Sequence, residues 1–166
     1  MNAMETIIIG IGNPVLTDDS VGLKIADRLE ERLRGRSGVA VARLCCGGIR
    51  LMETMVGYER AIVIDAMSGG GGAPGSVYRL GPDSLAQTRN TCSTHDGAFS
   101  VALELGKAVG LQFPSTVRIW GVEAENLSDY GENLSADVER AAAGVVESVM
   151  RELDAAPSGS SGRRGA

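Results

Sequence analysis

The chain has 166 residues, a formal net charge of −5 and 43% hydrophobic residues, which favours one soluble globular domain. The acidic balance argues against nucleic-acid binding, which usually needs a basic face, and the one adjacent arginine pair, Arg163–Arg164, lies in the terminal tail. Since no apolar run approaches the roughly 20 residues of a membrane span and the N-terminus lacks a signal-peptide pattern, we expect a cytoplasmic protein.

The chain opens with a strand followed by an amphipathic helix. Ile7–Ile9 is a β-branched run that ends at Gly10 and predicts a buried strand. Apolar residues spaced by four then predict a helix with Asp18 as its N-cap and Gly35 as its stop. The residues on the buried stripe of this helix are Val21, Ile25, Leu29 and Leu33.

The next three elements repeat the alternation of strand and helix. Residues 39–44 predict a second strand and residues 49–56 a short helix. Residues 61–64 form a continuous apolar run, which is typical of a strand covered on both faces of a parallel sheet, and this third strand ends in Asp65.

The second half continues the pattern after a glycine-rich loop at residues 68–75, which is most simply interpreted as mobile. Residues 81–97 contain no clear element. A helix at residues 98–109 should present Val101, Leu105 and Ala108 on one face. The remaining predicted elements are an edge strand at residues 76–80, a strand at 117–122 and a closing helix at 135–153 with a buried stripe of Val138, Val145, Val149 and Leu153.

Alternating strands and helices predict an α/β fold with a largely parallel central sheet covered by helices on both faces. We expect a single domain over residues 1–154 and a disordered tail over residues 155–166, because the tail has nothing to bury. In such sheets the functional site lies beyond the carboxyl ends of the strands.

Acidic and imidazole groups occupy these strand-to-loop positions. Asp18 and Asp19 follow the first strand, Asp65 ends the third, and His95 is the only histidine. One imidazole with two carboxylates suits a borderline divalent ion such as Ni²⁺ or Zn²⁺. The structural alternatives stay open: a helix N-cap for Asp18, a first-turn acid for Asp19, a turn residue for Asp65 and a structural histidine.

Two further motifs invite functional readings. Gly10-x-Gly12 follows a strand, but Val15 replaces the third glycine of a dinucleotide fingerprint and Pro14 removes an amide donor. Cys46 could be a nucleophile, although free cysteines are more often small buried hydrophobes, which we prefer here. Three cysteines, two of them adjacent, give no disulfide framework and suit a reducing compartment.

Four ordered segments resemble the hydrogenase maturation proteases. The opening I-I-I-G-I-G-N-P-V-L-T-D-D-S-V-G is similar to the start of that family, which reads G-x-G-N, a spacer, an acidic pair and V-G. V-I-D-A-M resembles its second acidic segment and S-T-H-D-G-A-F its histidine segment. W-G-V-E with G-E-N-L-S-A-D-V resembles its late strand and the start of its last helix. The likeness covers roughly residues 6–153.

The resemblance implies a three-layer α/β/α fold with a five-stranded sheet and an endopeptidase that removes the C-terminal extension of a NiFe-hydrogenase large-subunit precursor. By the match of motifs, Asp19, Asp65 and His95 would be nickel ligands. The nickel would be carried by the substrate and used for recognition, with no organic cofactor. The catalytic group is left open between a metal-activated water and an aspartate general base, which makes Asp19 and Asp65 the catalytic candidates.

This chain departs from the family pattern at two positions, and two rival functions remain. Cys46 stands where many members have an acidic residue before paired glycines, and Asp19 replaces a longer glutamate. A non-catalytic nickel-site chaperone would keep the same ligands. A peptidyl-tRNA hydrolase-like enzyme shares the I-G-I-G-N-P opening but needs a histidine that T-D-D-S-V-G does not supply.

Overall fold

The structure is a computed structural model and describes residues 5–81 and 104–155. In chain order the strands are β1 Thr6–Ile11, β2 Val39–Leu44, β3 Arg60–Met67, β4 Val77–Leu80 and β5 Thr116–Glu123. The helices are a 3-10 helix at Thr17–Ser20, α1 Val21–Arg32, α2 Ile49–Met55 and α3 Ala136–Ala155. Residues 104–108 are also helical.

The five strands form one sheet in the order β2-β1-β3-β5-β4. Strands β2, β1, β3 and β5 are parallel, whereas β4 runs antiparallel to β5 at the edge. The carboxyl ends of the four parallel strands therefore meet at one edge of the sheet, which we call the carboxyl edge. The predicted edge strand is confirmed as β4.

Each face of the sheet buries its own apolar cluster, because successive side chains of a strand point to opposite faces. On one face, Ile8, Ile62 and Ile64 pack with α1 and α3. On the other face, Ile9 and Val63 pack with Leu51 and Met55 of α2. Helices on both faces of a largely parallel sheet confirm the predicted α/β/α fold. The apolar stripes predicted for the first and last helices are buried in full.

Glycines let α1 lie directly against the sheet. A Cβ atom on Gly22 would stand 2.3 Å from the carbonyl oxygens of both Ile11 and Ile64, and one on Gly10 would stand 2.2 Å from the Gly22 carbonyl oxygen. Both distances are far inside van der Waals contact. The start of α1 therefore lies in direct backbone contact with β1 and β3, in addition to the side-chain packing of Val21 and Ile25.

The structure corrects two predicted elements. β3 does not end at Asp65 but continues to Met67, because Asp65 and the two residues after it still pair with β5. In the helix predicted at 98–109, Leu105 is 64% exposed, so the predicted apolar face is not buried there. Residues 1–4, 82–103 and 156–166 lie outside the described part. Of the tail predicted to be disordered over residues 155–166, only Ala155 is described, and it is the last residue of α3. Among the described helices none has the length and apolar character needed to cross a membrane.

Candidate functional site at the carboxyl edge

Asp19 is held at the end of β1 by the turn that follows the strand. The chain leaves β1 at Ile11, and the amide of Asn13 donates a hydrogen bond to Asp19 Oδ2 at 3.1 Å. A Cβ atom on Gly12 would stand 2.1 Å from the Asp19 carbonyl oxygen, so only glycine lets the 3-10 helix return so close to the strand. The G-x-G-N motif thus has a geometric purpose, because it places Asp19 at the carboxyl edge.

Asp65 lies at the same edge on the neighbouring strand. The last register pair of β1 with β3 joins Gly10 and Ile64, so Asp65 is the next residue toward the carboxyl end. The 3-10 helix that carries Asp19 contacts β3. Asp65 is fully buried and Asp19 is 2% exposed. Two buried carboxylates from distant parts of the sequence are therefore brought to the carboxyl edge. The amide of Ala66 also donates to Asp65 Oδ1 at 2.8 Å.

The third predicted ligand, His95, lies outside the described residues. Over residues 5–81 and 104–155, no three His, Cys, Asp or Glu side chains are grouped so that they could hold a metal ion. Buried carboxylates attract a cation more strongly than exposed ones do, because fewer water molecules screen the charge. The chemistry available to Asp19 and Asp65 is therefore coordination of a cation or acceptance of a proton.

Asp18 has a structural part that differs from the predicted N-cap. α1 begins after Ser20, and neither Ser20 nor the residue before the 3-10 helix makes a side-chain capping bond. Instead, the buried carboxylate of Asp18 accepts hydrogen bonds from the amides of Glu125, Asn126 and Ser135 and from the Ser135 hydroxyl. It joins the turn after β1 to the segment between β5 and α3. The acidic pair is thus divided between an architectural residue and a candidate functional one.

The structure gives Glu123 a role that the sequence did not predict, although Glu123 is the last residue of the W-G-V-E segment. It is 7% exposed, and its carboxylate accepts hydrogen bonds from the amides of Gly69 at 2.8 Å and Gly70 at 3.1 Å. The glycine-rich loop, interpreted from sequence as mobile, is therefore anchored at its first two glycines. The sequence signal that could have predicted this role of Glu123 is a glutamate at a strand end together with a run of glycines, because the amides of such a run need hydrogen-bond acceptors.

The cysteines after β2 contradict the prediction that Cys46 is a small buried hydrophobic residue. Cys45 and Cys46 are free and exposed, whereas the sequence favoured small buried hydrophobes. The reason is their position: β2 ends at Leu44, and the chain leaves the sheet at the carboxyl edge before α2 begins at Ile49. Cys46 is accordingly a solvent-accessible thiol in the segment that follows β2. Cys92 lies outside the described residues.

Sequence comparisons place these features in a known family. A family model described as hydrogenase maturation protease matches residues 23–152. The chain is 27% identical over 151 residues to the Hydrogenase 2 maturation protease of Escherichia coli, covering 90% of this chain and 91% of that protein. It is 30% identical over 140 residues to the hydrogenase expression/formation protein HoxM of Azotobacter vinelandii, covering 83% and 67%.

Solved structures agree with the sequence matches. The hydrogenase maturating endopeptidase HybD from E. coli superimposes with a TM-score of 0.74 at 25% identity, over 90% of this chain and 92% of that one. The NiFe hydrogenase maturation protease HybD from Thermococcus kodakarensis gives a TM-score of 0.66 at 27% identity, over 90% and 98%. These likenesses support the predicted endopeptidase over the chaperone-like and peptidyl-tRNA hydrolase-like alternatives. The chain belongs to the hydrogenase maturation protease family and is a hydrolase of that family.

Proposed function

We propose that this endopeptidase removes the C-terminal extension of a nickel-loaded NiFe-hydrogenase large-subunit precursor and recognises the substrate through its nickel. The observation that carries the proposal is the pair of buried carboxylates at the carboxyl edge, Asp19 in the 3-10 helix after β1 and Asp65 in the neighbouring strand β3. The segment S-T-H-D supplies His95 as the third ligand of the proposed set. The nickel is part of the substrate and not a resident cofactor.

The metal-ligand atoms of Asp19, Asp65 and His95 are of types that suit the binding of a substrate-borne nickel ion. Two carboxylates and one imidazole form a mixed oxygen and nitrogen set that a borderline ion accepts. Three ligands leave coordination positions that groups of the precursor already fill. The protease would therefore bind the ion by completing a coordination sphere begun by its substrate, and a precursor without nickel would lack this attachment.

Asp19 and Asp65 are also the candidates for the chemical step. A carboxylate at this edge could take a proton from the attacking water, and a substrate-borne ion could polarise the scissile carbonyl. Peptide hydrolysis adds one water across the C–N bond, so the product pair should outweigh the precursor by one water molecule. We expect the same residues to serve recognition and reaction, because they lie at one edge.

The test is a processing assay on the cognate precursor with and without nickel, read by intact-protein mass spectrometry. We expect cleavage into mature subunit and C-terminal peptide only when nickel is present. His95→Ala should abolish cleavage and leave the thermal unfolding midpoint close to that of the wild type. Equal cleavage of nickel-free precursor would contradict metal recognition. An intact nickel-loaded precursor after incubation with folded wild-type enzyme would contradict the assigned substrate.

A further inference from the structure

Four arginines gather along the β4–β5 side of the sheet, on the face that α3 covers. They come from β3, β4, β5 and α3 and line a groove of about 500 Å³ between the edge of the sheet and the last helix. We call it the arginine groove. Its lining residues are Arg60, Arg79, Arg118, Trp120, Ser148, Arg151, Glu152 and Ala155. The net charge of −5 argued against a basic face, but the fold brings together arginines from four separate elements.

The positive charge in the groove exceeds the negative charge. Among the described residues that line it, Glu152 is the only acidic one, and its side chain is 10% exposed. Its carboxylate forms an ion pair with Arg60, whose side chain is 17% exposed. Arg79 Nη2 lies 3.2 Å from Glu152 Oε2, and Arg118 Nε lies 3.9 Å from Oε1. One carboxylate therefore shares the groove with four guanidinium groups.

Among the residues that the structure describes, Arg79 and Arg118 have hydrogen-bond donors without an acceptor. Their side chains are 49% and 47% exposed, and within the described residues neither guanidinium donates a hydrogen bond. Arg79 also lies over the Trp120 ring, 5.5 Å from its centre, which restricts the motion of the side chain. A guanidinium presents five N–H donors in a planar fork that matches two oxygens of one anion. These two arginines are thus placed to bind an anion from solvent.

We propose that the arginine groove binds an acidic segment of a partner protein and seats its carboxylates on Arg79 and Arg118. Glu152 supports a carboxylate ligand, since a carboxylate is the anion that these guanidiniums already contact. The groove has room for a few side chains and not for a duplex. The remaining surface of a chain with net charge −5 disfavours nucleic acid, whose binding needs an extended basic face.

The proposal does not rest on the function proposed for Asp19 and Asp65. Arg118 pairs with Ile62 of β3, and Arg79 pairs with Trp120, which pairs with Ile64. Both arginines therefore lie on the face of the sheet opposite to the side chain of Asp65. Binding at the groove needs neither nickel nor peptide hydrolysis. A failed processing assay would therefore leave this proposal standing, and a failed binding assay would leave the proposed function standing.

The experiment measures binding of a fluorescein-labelled hexaglutamate peptide to the full chain by fluorescence anisotropy. Emission of Trp120, the sole tryptophan, gives a second signal from the groove itself. We expect saturable binding that changes Trp120 emission and weakens as salt rises, because ions screen the exposed arginines. Succinate, inorganic phosphate and a labelled single-stranded RNA serve as competing ligand classes.

Arg79→Ala with Arg118→Ala should lower the affinity for hexaglutamate by about a hundredfold, at about tenfold for each lost charge-assisted contact. Both side chains are half exposed, so the variant should fold. The matched control is Arg28→Ala with Arg32→Ala, which removes the same charge from exposed pairs on α1. Glu152→Gln should strengthen binding, because it removes the carboxylate that competes with the peptide.

Several outcomes would overturn the proposal. They are an absence of saturable binding, an equal loss in the control double variant, and a Trp120 emission that does not change while the anisotropy does. Tighter binding of RNA than of hexaglutamate would show that the ligand of the groove is a nucleic acid and not an acidic protein segment. Displacement of the peptide by succinate or phosphate at equal or lower concentration would assign the groove to a small anion.

Discussion

Asp18 and Ser135 are 117 residues apart in sequence and are joined by two hydrogen bonds. The Ser135 amide donates to Asp18 Oδ1 at 2.7 Å, and the Ser135 hydroxyl donates to Oδ2 at 2.9 Å. The same carboxylate accepts the amides of Glu125 and Asn126 at 3.0 and 2.9 Å. This single buried group connects the turn before α1 to the segment before α3.

Replacement of Asp18 by Asn should therefore lower stability. The amide of asparagine keeps one acceptor oxygen and turns the other into a donor that faces backbone N–H groups. We expect the free energy of unfolding to fall by about 3 kcal/mol, because buried donors lose a charged acceptor. Urea unfolding followed by circular dichroism measures the change. Asp154→Asn, at an exposed pair with Arg36, is the control and should cost less than about 1 kcal/mol. An unchanged free energy of unfolding in Asp18→Asn would contradict the proposed structural role of the Asp18 carboxylate.

Asp19→Asn and Asp65→Asn should each remove processing of a nickel-loaded precursor. We expect a loss of at least about a hundredfold in the cleavage rate, which is typical when a general base is removed. Asp154→Asn should cleave at the wild-type rate, since it changes the same side chain far from the carboxyl edge. Mass spectrometry of the precursor gives the rate, and thermal unfolding shows that each variant folds. Wild-type cleavage by either site variant would exclude that residue from the site.

Glu123→Gln should release the start of the glycine-rich loop. Gln keeps one acceptor and presents an NH₂ group to one of the Gly69 and Gly70 amides, so one hydrogen bond is lost. Hydrogen exchange at these two amides should accelerate, and proteolysis within residues 69–72 should become easier. Glu125→Gln is the matched control, because Glu125 is exposed and its carboxylate makes no bond to this loop among the described contacts. Equal exchange in both variants would contradict the anchoring by Glu123.

Gly22→Ala should destabilise the protein, because the new methyl group would lie 2.3 Å from two carbonyl oxygens of the sheet. We expect a loss of about 3 kcal/mol or more, as α1 must move away from β1 and β3. Gly144→Ala is the control: Gly144 lies in α3, and no atom of the described residues outside its own helical turn lies within 4 Å of the place that a Cβ would take. Alanine there should add about 0.5–1 kcal/mol to the free energy of unfolding. A stabilised Gly22→Ala variant would contradict the close contact.

Cys46→Ser should leave both stability and processing intact. The thiol is exposed, and exposed substitutions change the free energy of unfolding by about 0.5 kcal/mol or less. Alkylation of the wild type by iodoacetamide reports on the accessibility of Cys45 and Cys46. Complete loss of cleavage in a folded Cys46→Ser variant would instead assign the thiol to catalysis.

Much of the architecture follows from local pattern. The apolar runs around Ile8 and Val63 predicted buried strands, and the four-residue spacing from Val21 to Leu33 predicted α1, because periodicity reports directly which face is covered. The end of β3 was misplaced by two residues. Asp65 resembles a turn residue in sequence, but the pairing of β3 with β5 holds it in the strand.

The candidate site was less predictable than the fold. The sequence places Asp18 and Asp19 together, and only tertiary structure separates them, since the partners of Asp18 are more than 100 residues away. The arginine groove could not be predicted from the sequence either, because its residues come from distant parts of the chain. Exposure of Cys46 depends on where β2 leaves the sheet, which local composition does not determine.

Strand β3 carries Arg60 at its start and Asp65 near its far end. Five residues of extended chain place their backbones about 16 Å apart. Substitutions separated by more than about 10 Å usually act additively. A double variant altered at both ends of this strand should therefore show the product of the two individual effects on rate or affinity. Either end of the strand can then be engineered without changing the properties of the other end.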